Sequence, residues 1–410
     1  MQKLILLRFF VVSVLLWNAG VVEAVAQLEE VAGRVDYTID SLQEKELSLE
    51  VDNISFFKDN EFGGSVMKGY TLPGLWIEPK LSYQPLSNLK VEAGVHALIY
   101  SGAYRYPTYA YHDIAAWKGH QFQQGAHVLP WFRAHLSMNK VNLVLGNLYG
   151  GANHGLSMPL YNPELVLTAD PEFGFQVLAD TRLLHFDAWL NWESFIFKGD
   201  THQEAFVVGA SSKFRINADT SHIHAFMTLQ GVAQHRGGEQ DTAISVQTWM
   251  NGAVGAGVRW NADKRWLQYV QAQAQLLGYF QESGRMWPFA GGSGIYAEAT
   301  ARFAYGLHLR LGWFRSNQFI SLLGIPYFGS VSTKKEGAYY TGCPQTLNVG
   351  LDYSHTFAKR YTFGAKVETY YHRPGAMRDA QGVLSWPKAG LNTSFGVYLR
   401  IRPRFVLGRF

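Results

Sequence analysis

The stretch NHGLS brings together two residue types that can perform covalent chemistry. His154 and Ser157 lie three positions apart in a long link between two apolar segments. A serine hydroxyl becomes nucleophilic when a histidine takes its proton and a carboxylate orients that histidine, and Asp113 or Asp170 could supply the carboxylate. The chain has no G-x-S-x-G, no H-E-x-x-H and a single cysteine, Cys343. Neighbouring Ser and His residues are usually incidental, so the sequence predicts no catalytic residues and no enzyme.

Two histidines also share one side of a single predicted strand. His222 and His224 are separated by one residue in the stretch HIHAF. Zinc sites need at least three protein ligands, and no third ligand accompanies this pair. We therefore predict polar wall residues here, and we expect neither a metal nor another cofactor.

Charged and amide side chains of both signs recur along the chain and form the candidate binding set. Two interpretations are open: the opposed charges bind polar solutes in a transverse field, or they pair with each other and stiffen a wall. The set comprises Arg133, Asp187, Glu193, Gln271, Gln273, Glu298, Arg302, Arg310, Asp352, Lys366, Glu368 and Arg400.

The elements that hold these side chains have a period of two. In VQAQAQL the residues Gln271, Gln273 and Gln275 occupy one parity, while Ala272 and Ala274 occupy the other. A helix would spread both kinds around its circumference, whereas a strand keeps them on opposite faces. The same alternation predicts strands throughout the chain, each with one clean apolar face.

About 16 such segments are predicted, within a range of 14 to 18. They lie near 46–57, 72–84, 88–101, 128–138, 140–150, 172–180, 183–197, 203–216, 221–234, 244–260, 265–281, 293–303, 306–318, 345–357, 361–373 and 392–404. Short turns alternate with longer links without a break. This alternation is typical of a transmembrane barrel with tight turns at one end and long loops at the other.

The predicted fold is therefore all-β, a transmembrane antiparallel up-and-down β-barrel. A sheet can cross lipid only by closing on itself, with its apolar parity outward and its polar parity facing the lumen. Aromatic residues near the strand ends predict interfacial girdles; the candidates are Trp260, Trp266, Trp313, Phe314, Tyr370 and Tyr371. The competing interpretation is a secreted β-protein in which these rings form an ordinary core.

The chain divides into three predicted parts. Residues 1–26 have a basic start, an apolar stretch and an A-x-A site, the layout of a cleaved secretory signal peptide. Residues 27–45 form an N-terminal arm, and residues 46–410 form the barrel. The net charge of the whole chain is +4, and its basic residues are scattered, which argues against a nucleic-acid partner.

With its signal peptide, alternating strands and terminal FGVYLRIRPRFVLGRF, the chain resembles the Gram-negative outer-membrane porin-like β-barrels. Its Tyr and Trp usage is similar to that of barrels from the Bacteroidetes group. The resemblance implies location in the outer membrane and recognition of the final Phe410 by the barrel assembly machinery. Pro403, Arg404 and Arg409 depart from the regular pattern of a last strand.

We expect a porin-like channel for diffusion or uptake of small polar solutes through a charged lumen, with outer-membrane lipid around it. Loop residues Tyr104, Tyr106, Tyr109, Tyr111 and Trp117 either fold into the pore and narrow it or pack on one another outside it. A surface receptor, adhesin or secretion-apparatus partner is the alternative, and a membrane-embedded hydrolase is the least favoured. The sequence leaves the solute and the oligomeric state open.

Overall fold

The computed structural model describes residues 37–101, 125–195, 203–238, 245–262 and 264–410. The predicted signal peptide, the first ten residues of the arm, Asp113 and the five aromatic residues proposed for a loop constriction lie outside the described residues.

Twenty strands follow one another along the described chain. The first ten are β1 (Glu46–Glu61), β2 (Tyr70–Leu86), β3 (Leu89–Tyr100), β4 (Gly125–Met138), β5 (Val141–Asn147), β6 (Phe173–Asp180), β7 (Leu184–Ser194), β8 (Ala205–Arg215), β9 (Ile223–Arg236) and β10 (Gln247–Asn261). The remaining strands are β11 (Leu267–Ser283), β12 (Gly291–Phe303), β13 (Leu307–Asn317), β14 (Tyr339–Tyr340), β15 (Gln345–Phe357), β16 (Tyr361–Arg373), β17 (Met377–Arg378), β18 (Leu384–Ser385), β19 (Gly390–Ile401) and β20 (Arg404–Arg409). One short α-helix, α1 (Leu165–Thr168), lies in the link between β5 and β6.

The long strands form one closed antiparallel barrel. Each pairs with the next along the chain, and β1 pairs with β2 on one side and with β19 and β20 on the other. Of the 17 strands in this sheet, β20 continues β19 after a break at Arg402 and Pro403, so 16 strands cross the barrel. Proline lacks the N–H that the ladder needs, which explains the break. The predicted fold class is confirmed.

The two ends of the barrel differ in their connections. Turns at 87–88, 139–140, 181–183, 262–266, 304–306 and 358–360 join strands at the end where Glu46 pairs with Arg409, and the 216–222 turn lies there too. The links at the other end are mostly longer, among them 148–172, 237–246 and 318–344. In barrels of this type the short turns face the periplasm and the long loops face outward. We call the ends the inner rim and the outer rim.

The outward parity of the barrel wall is apolar and exposed. Val128, Leu145, Leu276, Phe280 and Leu391 each expose more than half of their surface. Exposing an apolar belt around the whole barrel to water would be unfavourable, whereas the hydrocarbon core of a bilayer solvates such a belt. The closed barrel and its apolar belt locate the chain in an outer membrane. Among the described residues, no helix is both long enough and apolar enough to cross a membrane.

The outer half of the lumen is filled by protein. Three segments fold inward from the outer rim, and we call them the plug: residues 62–69, 148–172 and 318–344. Their apolar side chains pack with inward rings from the wall; the buried cluster includes Val66, Met158, Leu160, Trp249, Tyr296, Phe314, Phe319, Leu322, Phe328 and Tyr370. This core replaces the wide aqueous channel expected for a barrel of this size.

The plug corrects part of the predicted aromatic girdle. Phe314 and Tyr370 are 1% and 2% exposed, because they point inward and pack in this core. Trp260, Trp266 and Trp313 do lie on the outside, as does Tyr371. Of two adjacent aromatic residues at a strand end, one therefore faces lipid and the other packs against the plug.

Candidate functional site

The predicted lumen residues all lie on strands of the barrel wall and on the parity opposite to the apolar belt. Several are joined in ion pairs. Arg310 pairs with Glu368, which also accepts from Lys366 at 3.1 Å. Arg400 contacts Asp52 at 2.6 and 2.9 Å, and Arg133 lies 3.5 Å from Glu92. These ion pairs agree with the interpretation that the charged residues pair with each other and stiffen the wall.

Amide side chains of the wall hold the plug in place. Gln230 accepts from the backbone N–H of Ser157 at 3.0 Å and donates to the carbonyl of Gly155 at 2.9 Å. Asn251 accepts from the N–H of Leu322 at 2.9 Å and donates to the carbonyl of Ile320 at 2.9 Å. Buried loop backbone needs partners, and these amides supply a donor and an acceptor each. Part of the polar parity therefore binds protein backbone rather than water.

His154 lies in the plug between two carboxylates. Its Nδ1 is 2.7 Å from Asp187, its Nε2 is 2.7 Å from Glu172, and its ring stacks on Trp189 at 3.5 Å. Burial alone would lower the pKa of His154, but the carboxylates of Glu172 and Asp187 outweigh burial and raise the pKa to about 10. An imidazolium with both nitrogens occupied has no lone pair for a proton.

His154 is therefore unsuited to act as the base of a Ser157 triad. Of the two acids considered from the sequence, Asp170 pairs with His127 at 3.0 Å instead, and Asp113 lies outside the described residues. The carboxylate partners of His154 are Asp187 and Glu172. They lie 33 and 18 residues from His154 along the chain, so no local sequence motif indicated them.

His222 and His224 have separate partners. His222 is exposed and accepts from the indole N–H of Trp260 at 3.0 Å. His224 is buried, with its Nδ1 3.0 Å from the carbonyl of Asn217 and its Nε2 3.0 Å from Asp219. Both rings are occupied by contacts at the inner rim, His222 with a residue of β10 and His224 with residues of the 216–222 turn. They therefore act as structural residues of the wall.

A different cluster lies on the outside of the barrel at the outer rim. Trp192, Phe206, His235, Thr248 and Ser283 are directly opposed on strands β7 to β11, one residue per strand. His235 and Thr248 have the same parity as the lipid-facing Leu229 and Val254 on their own strands. Phe206 stacks on His235 at 4.8 Å, and Trp192 lies 5.2 Å from Phe206. A polar pair thus interrupts an aromatic row that faces the lipid interface.

The two polar side chains form a hydroxyl–imidazole pair with a defined proton arrangement. His235 Nε2 lies 3.0 Å from the carbonyl of Gly237, and Nδ1 lies 2.9 Å from Thr248 Oγ1. A carbonyl can only accept, so Nε2 carries the proton, and in the neutral imidazole Nδ1 accepts from the hydroxyl. This is the geometry of a nucleophile, a general base and a group that orients the base.

The backbone around Gly237 maintains the orienting carbonyl. Gly237 has a φ of +94°, and a Cβ there would lie 3.1 Å from Gln203 Nε2 and 3.2 Å from Val246 Cα. Only glycine adopts this conformation without strain. Its N–H donates to the carbonyl of Glu204 at 2.9 Å, which fixes the turn after β9. We call Thr248, His235 and Gly237 the rim relay.

A row of glycines crosses the same strands below the rim relay. Gly231, Gly252 and Gly278 are directly opposed on β9, β10 and β11, four residues from His235 along β9. A Cβ would meet nothing within 4 Å at Gly278 and only ordinary contacts at 3.7 and 3.6 Å at Gly231 and Gly252. Larger side chains would fit, and their absence leaves a shallow notch in the lipid-facing wall between Met250 and Val254.

The rim relay was not predicted from the sequence. The predicted strands at 221–234 and 244–260 leave His235 in the link between them and place Thr248 inside the second strand without a distinguishing signal. The available signal was a histidine and a threonine on the apolar parity of adjoining strands, which becomes visible only when strand ends and register are known.

A family model described as "Lipid A 3'-O-deacylase-type" matches residues 39–410. The chain belongs to this family. The match covers the whole barrel and overturns the prediction that the chain is not an enzyme, because this is an enzyme family. That prediction rested on the absence of local catalytic motifs, whereas the family model matches the chain over its whole barrel. Comparison with curated proteins finds no match.

Solved structures with a similar chain course are outer-membrane proteins of low sequence identity. OprD from Pseudomonas aeruginosa is 10% identical, with 90% of this chain and 99% of that chain covered and a TM-score of 0.47. OmpT from Vibrio cholerae is 8% identical, with 87% and 100% covered and a TM-score of 0.47. An anion-selective porin from Comamonas acidovorans is 11% identical, with 87% and 98% covered and a TM-score of 0.40. Similarity at this level says nothing about what the chain does.

Proposed function

We propose that the chain is an outer-membrane deacylase that hydrolyses an ester-linked acyl chain of a lipid A-type glycolipid at the rim relay. The observation that carries the proposal is the Thr248–His235–Gly237 geometry on the lipid-facing side of the outer rim. Membership of a lipid A 3'-O-deacylase-type family supports the substrate class.

The chemistry follows from the proton arrangement. Thr248 Oγ1 attacks the ester carbonyl carbon while its proton passes to His235 Nδ1. The tetrahedral intermediate collapses, the sugar oxygen leaves with that proton, and the acyl group stays on Thr248. A water molecule then attacks the acyl-threonine with His235 as base, which releases the fatty acid and restores the hydroxyl. The carbonyl of Gly237 stabilises the imidazolium in both steps.

Ser283 is suited to assist the oxyanion. It lies opposite Thr248 on β11, and its buried hydroxyl has no hydrogen-bond partner among the described residues. A hydroxyl donor aimed at a developing oxyanion strengthens in the transition state. We assign Ser283 this role within the proposal.

The surroundings suit an amphiphilic substrate. The glycine notch lies on the membrane side of the rim relay and offers a path for an acyl chain along the wall. On the other side, the exposed Arg285 follows Ser283 by two residues and can contact an anionic headgroup. A glycolipid in the outer leaflet would present its ester linkages between these two regions.

Mass spectrometry of lipid A tests the proposal. The purified full-length barrel, in detergent micelles with lipopolysaccharide, is expected to convert lipid A to a species lighter by one ester-linked acyl chain. His235→Gln is expected to abolish the conversion, because glutamine cannot accept the hydroxyl proton. His355→Gln, at an outward histidine near the inner rim, is the matched control and retains the activity. Equal conversion by the wild type and H235Q would contradict the proposal.

Passage of small polar solutes is a second candidate function. It is favoured by a polar cavity of about 580 Å³ in the inner half of the lumen, lined by Gln271, Gln273, Glu298 and Arg302 among others. The apolar packing of the plug in the outer half opposes it. Single-channel conductance in planar bilayers separates the two, since steady ion conductance by H235Q would support passage independently of deacylation.

A further inference from the structure

The inner half of the lumen contains a cavity that the proposed deacylation does not use. We call it the inner cavity. Its volume is about 580 Å³, within the range of small-molecule sites. His154 to Met158 of the plug form its roof, and strands β8 to β13 form much of its wall. Asp180 and Arg215, at strand ends beside the short turns, also line it, so the inner cavity reaches the periplasmic side.

The wall of the inner cavity is predominantly basic. Its cations are Lys213, Arg215, Arg259, Arg302 and Arg310, and its carboxylates are Asp180 and Glu298. Arg310 and Arg215 both form ion pairs with carboxylates. Arg310 pairs with Glu368, and Arg215 lies 2.8 Å from Asp180 and 2.9 Å from Asp219. These pairs balance the charges of Arg310 and Arg215.

Arg259 brings a positive charge to the inner cavity without a carboxylate partner among the described residues. Its Nε and Nη2 donate to the neutral Oε1 of Gln271 at 3.0 and 2.9 Å, and its guanidinium lies 4.4 Å from the ring centre of Tyr269. Within the described ranges, no carboxylate forms a salt bridge with it. A guanidinium has five N–H donors in a planar fork, so donors remain after the two bonds to Gln271. The ring and the amide hold the group in position while leaving its charge unbalanced.

We propose that the inner cavity binds a small anionic solute from the periplasm, with Arg259 as its main contact. Arginine recognises carboxylate and phosphate groups through paired, charge-assisted hydrogen bonds. Gln273 and Thr300 line the same cavity and can bond the uncharged part of such a solute. The site faces the opposite end of the barrel from the rim relay, and its occupancy does not depend on deacylation.

Calorimetric titration of the full-length barrel in a neutral detergent tests this. The probes are inorganic pyrophosphate and citrate, which distinguish phosphate from carboxylate recognition, with glucose as the neutral comparison. Either anion is expected to bind more tightly than glucose, with an affinity that falls as NaCl is raised. Arg259→Gln is expected to weaken anion binding by about tenfold or more.

A second substitution beside Arg259 and a control at a distant arginine complete the test. Gln271→Glu places a carboxylate on the Arg259 guanidinium without removing it and is expected to weaken binding similarly. Arg315→Gln, at an exposed outward arginine at the outer end of β13, is the matched control and leaves binding unchanged. Heat-dependent electrophoretic mobility checks that each variant is a folded barrel. Absence of anion binding at millimolar concentrations, glucose binding as tight as anion binding, or unchanged affinity in both R259Q and Q271E would overturn the proposal.

Discussion

Two of the barrel's histidines, His154 and His235, differ in their location and in the partners of their ring nitrogens. His154 lies inside the plug, where Asp187 and Glu172 occupy both ring nitrogens at 2.7 Å. His235 lies outside on the rim, where a carbonyl occupies one nitrogen and the Thr248 hydroxyl the other. Two carboxylates stabilise the imidazolium form of His154, whereas the carbonyl and the hydroxyl around His235 place Nδ1 as a hydrogen-bond acceptor for Thr248. Residue type alone does not separate the two histidines, whereas the partners of their ring nitrogens do, and these partners are the reason why we propose His235 and not His154 as the base.

The largest expected difference between the regions concerns their hydroxyl groups. Thr248→Ala should lower the rate of lipid A deacylation by on the order of 10³-fold, because it removes the nucleophile. Ser157→Ala should leave that rate unchanged, since Ser157 lies in the plug beside a histidine with no free lone pair. Initial rates from mass spectrometry of lipid A measure both, and Thr393→Ala, at an exposed threonine on β19, serves as the control. Loss of activity in S157A with retention in T248A would reverse the comparison.

A smaller loss is expected when only the orientation of the base changes. Gly237→Ala strains a backbone with a φ of +94° and shifts the carbonyl that holds His235. We expect the turnover rate to fall by about 10- to 100-fold, with little change in apparent KM. Gly382→Ala, also at positive φ but in the outer-rim link after β17, is the control. Unchanged turnover in G237A would remove Gly237 from the rim relay.

The glycine notch should affect specificity more than chemistry. Gly252→Leu fills the notch below the rim relay with a side chain that the local backbone can accept. The apparent KM for a long-chain substrate is expected to rise by roughly tenfold. A soluble short-chain ester, which does not reach the notch, should be hydrolysed as by the wild type. An equal effect on both substrates would show that the notch does not hold the acyl chain.

The smallest expected effect is the change with pH in the stability that His154 contributes to the plug. Because the folded-state pKa of His154 is raised from 6.5 to about 10, its stabilising effect is complete below about pH 6.5. The stabilising effect declines as pH rises from about 6.5 to about 10 and is lost above about pH 10. Trp189, stacked on the ring, reports the change through its fluorescence. His154→Gln should flatten the pH dependence of thermal unfolding in this window, whereas an unchanged slope would contradict the assignment.

The sequence predicted the barrel well because a period of two is a local property. Alternation in stretches such as VQAQAQL identified the crossing strands, and the unequal links identified the two rims. What could not be predicted was the destination of polar and aromatic side chains inside the cylinder. Gln230 and Asn251 hydrogen-bond loops that lie 69 to 75 residues away, and Phe314 packs on one of those loops rather than on lipid.

The rim relay escaped prediction for a related reason. Its members come from the end of β9, the following turn and the start of β10, where sequence-based strand boundaries are least accurate. A shift of one residue in a strand moves each side chain to the other face, so His235 could not be assigned to the lipid side from the sequence. Register between neighbouring strands supplied the missing information.

The most direct test is covalent labelling of the nucleophile with a long-chain alkyl fluorophosphonate, which reacts with activated hydroxyl groups by losing fluoride. Peptide mass spectrometry of the labelled full-length barrel is expected to locate the adduct on Thr248. The adduct should be absent from H235Q and present in H355Q. An adduct on Ser157, or labelling of Thr248 that does not depend on His235, would contradict the rim relay as the site of deacylation.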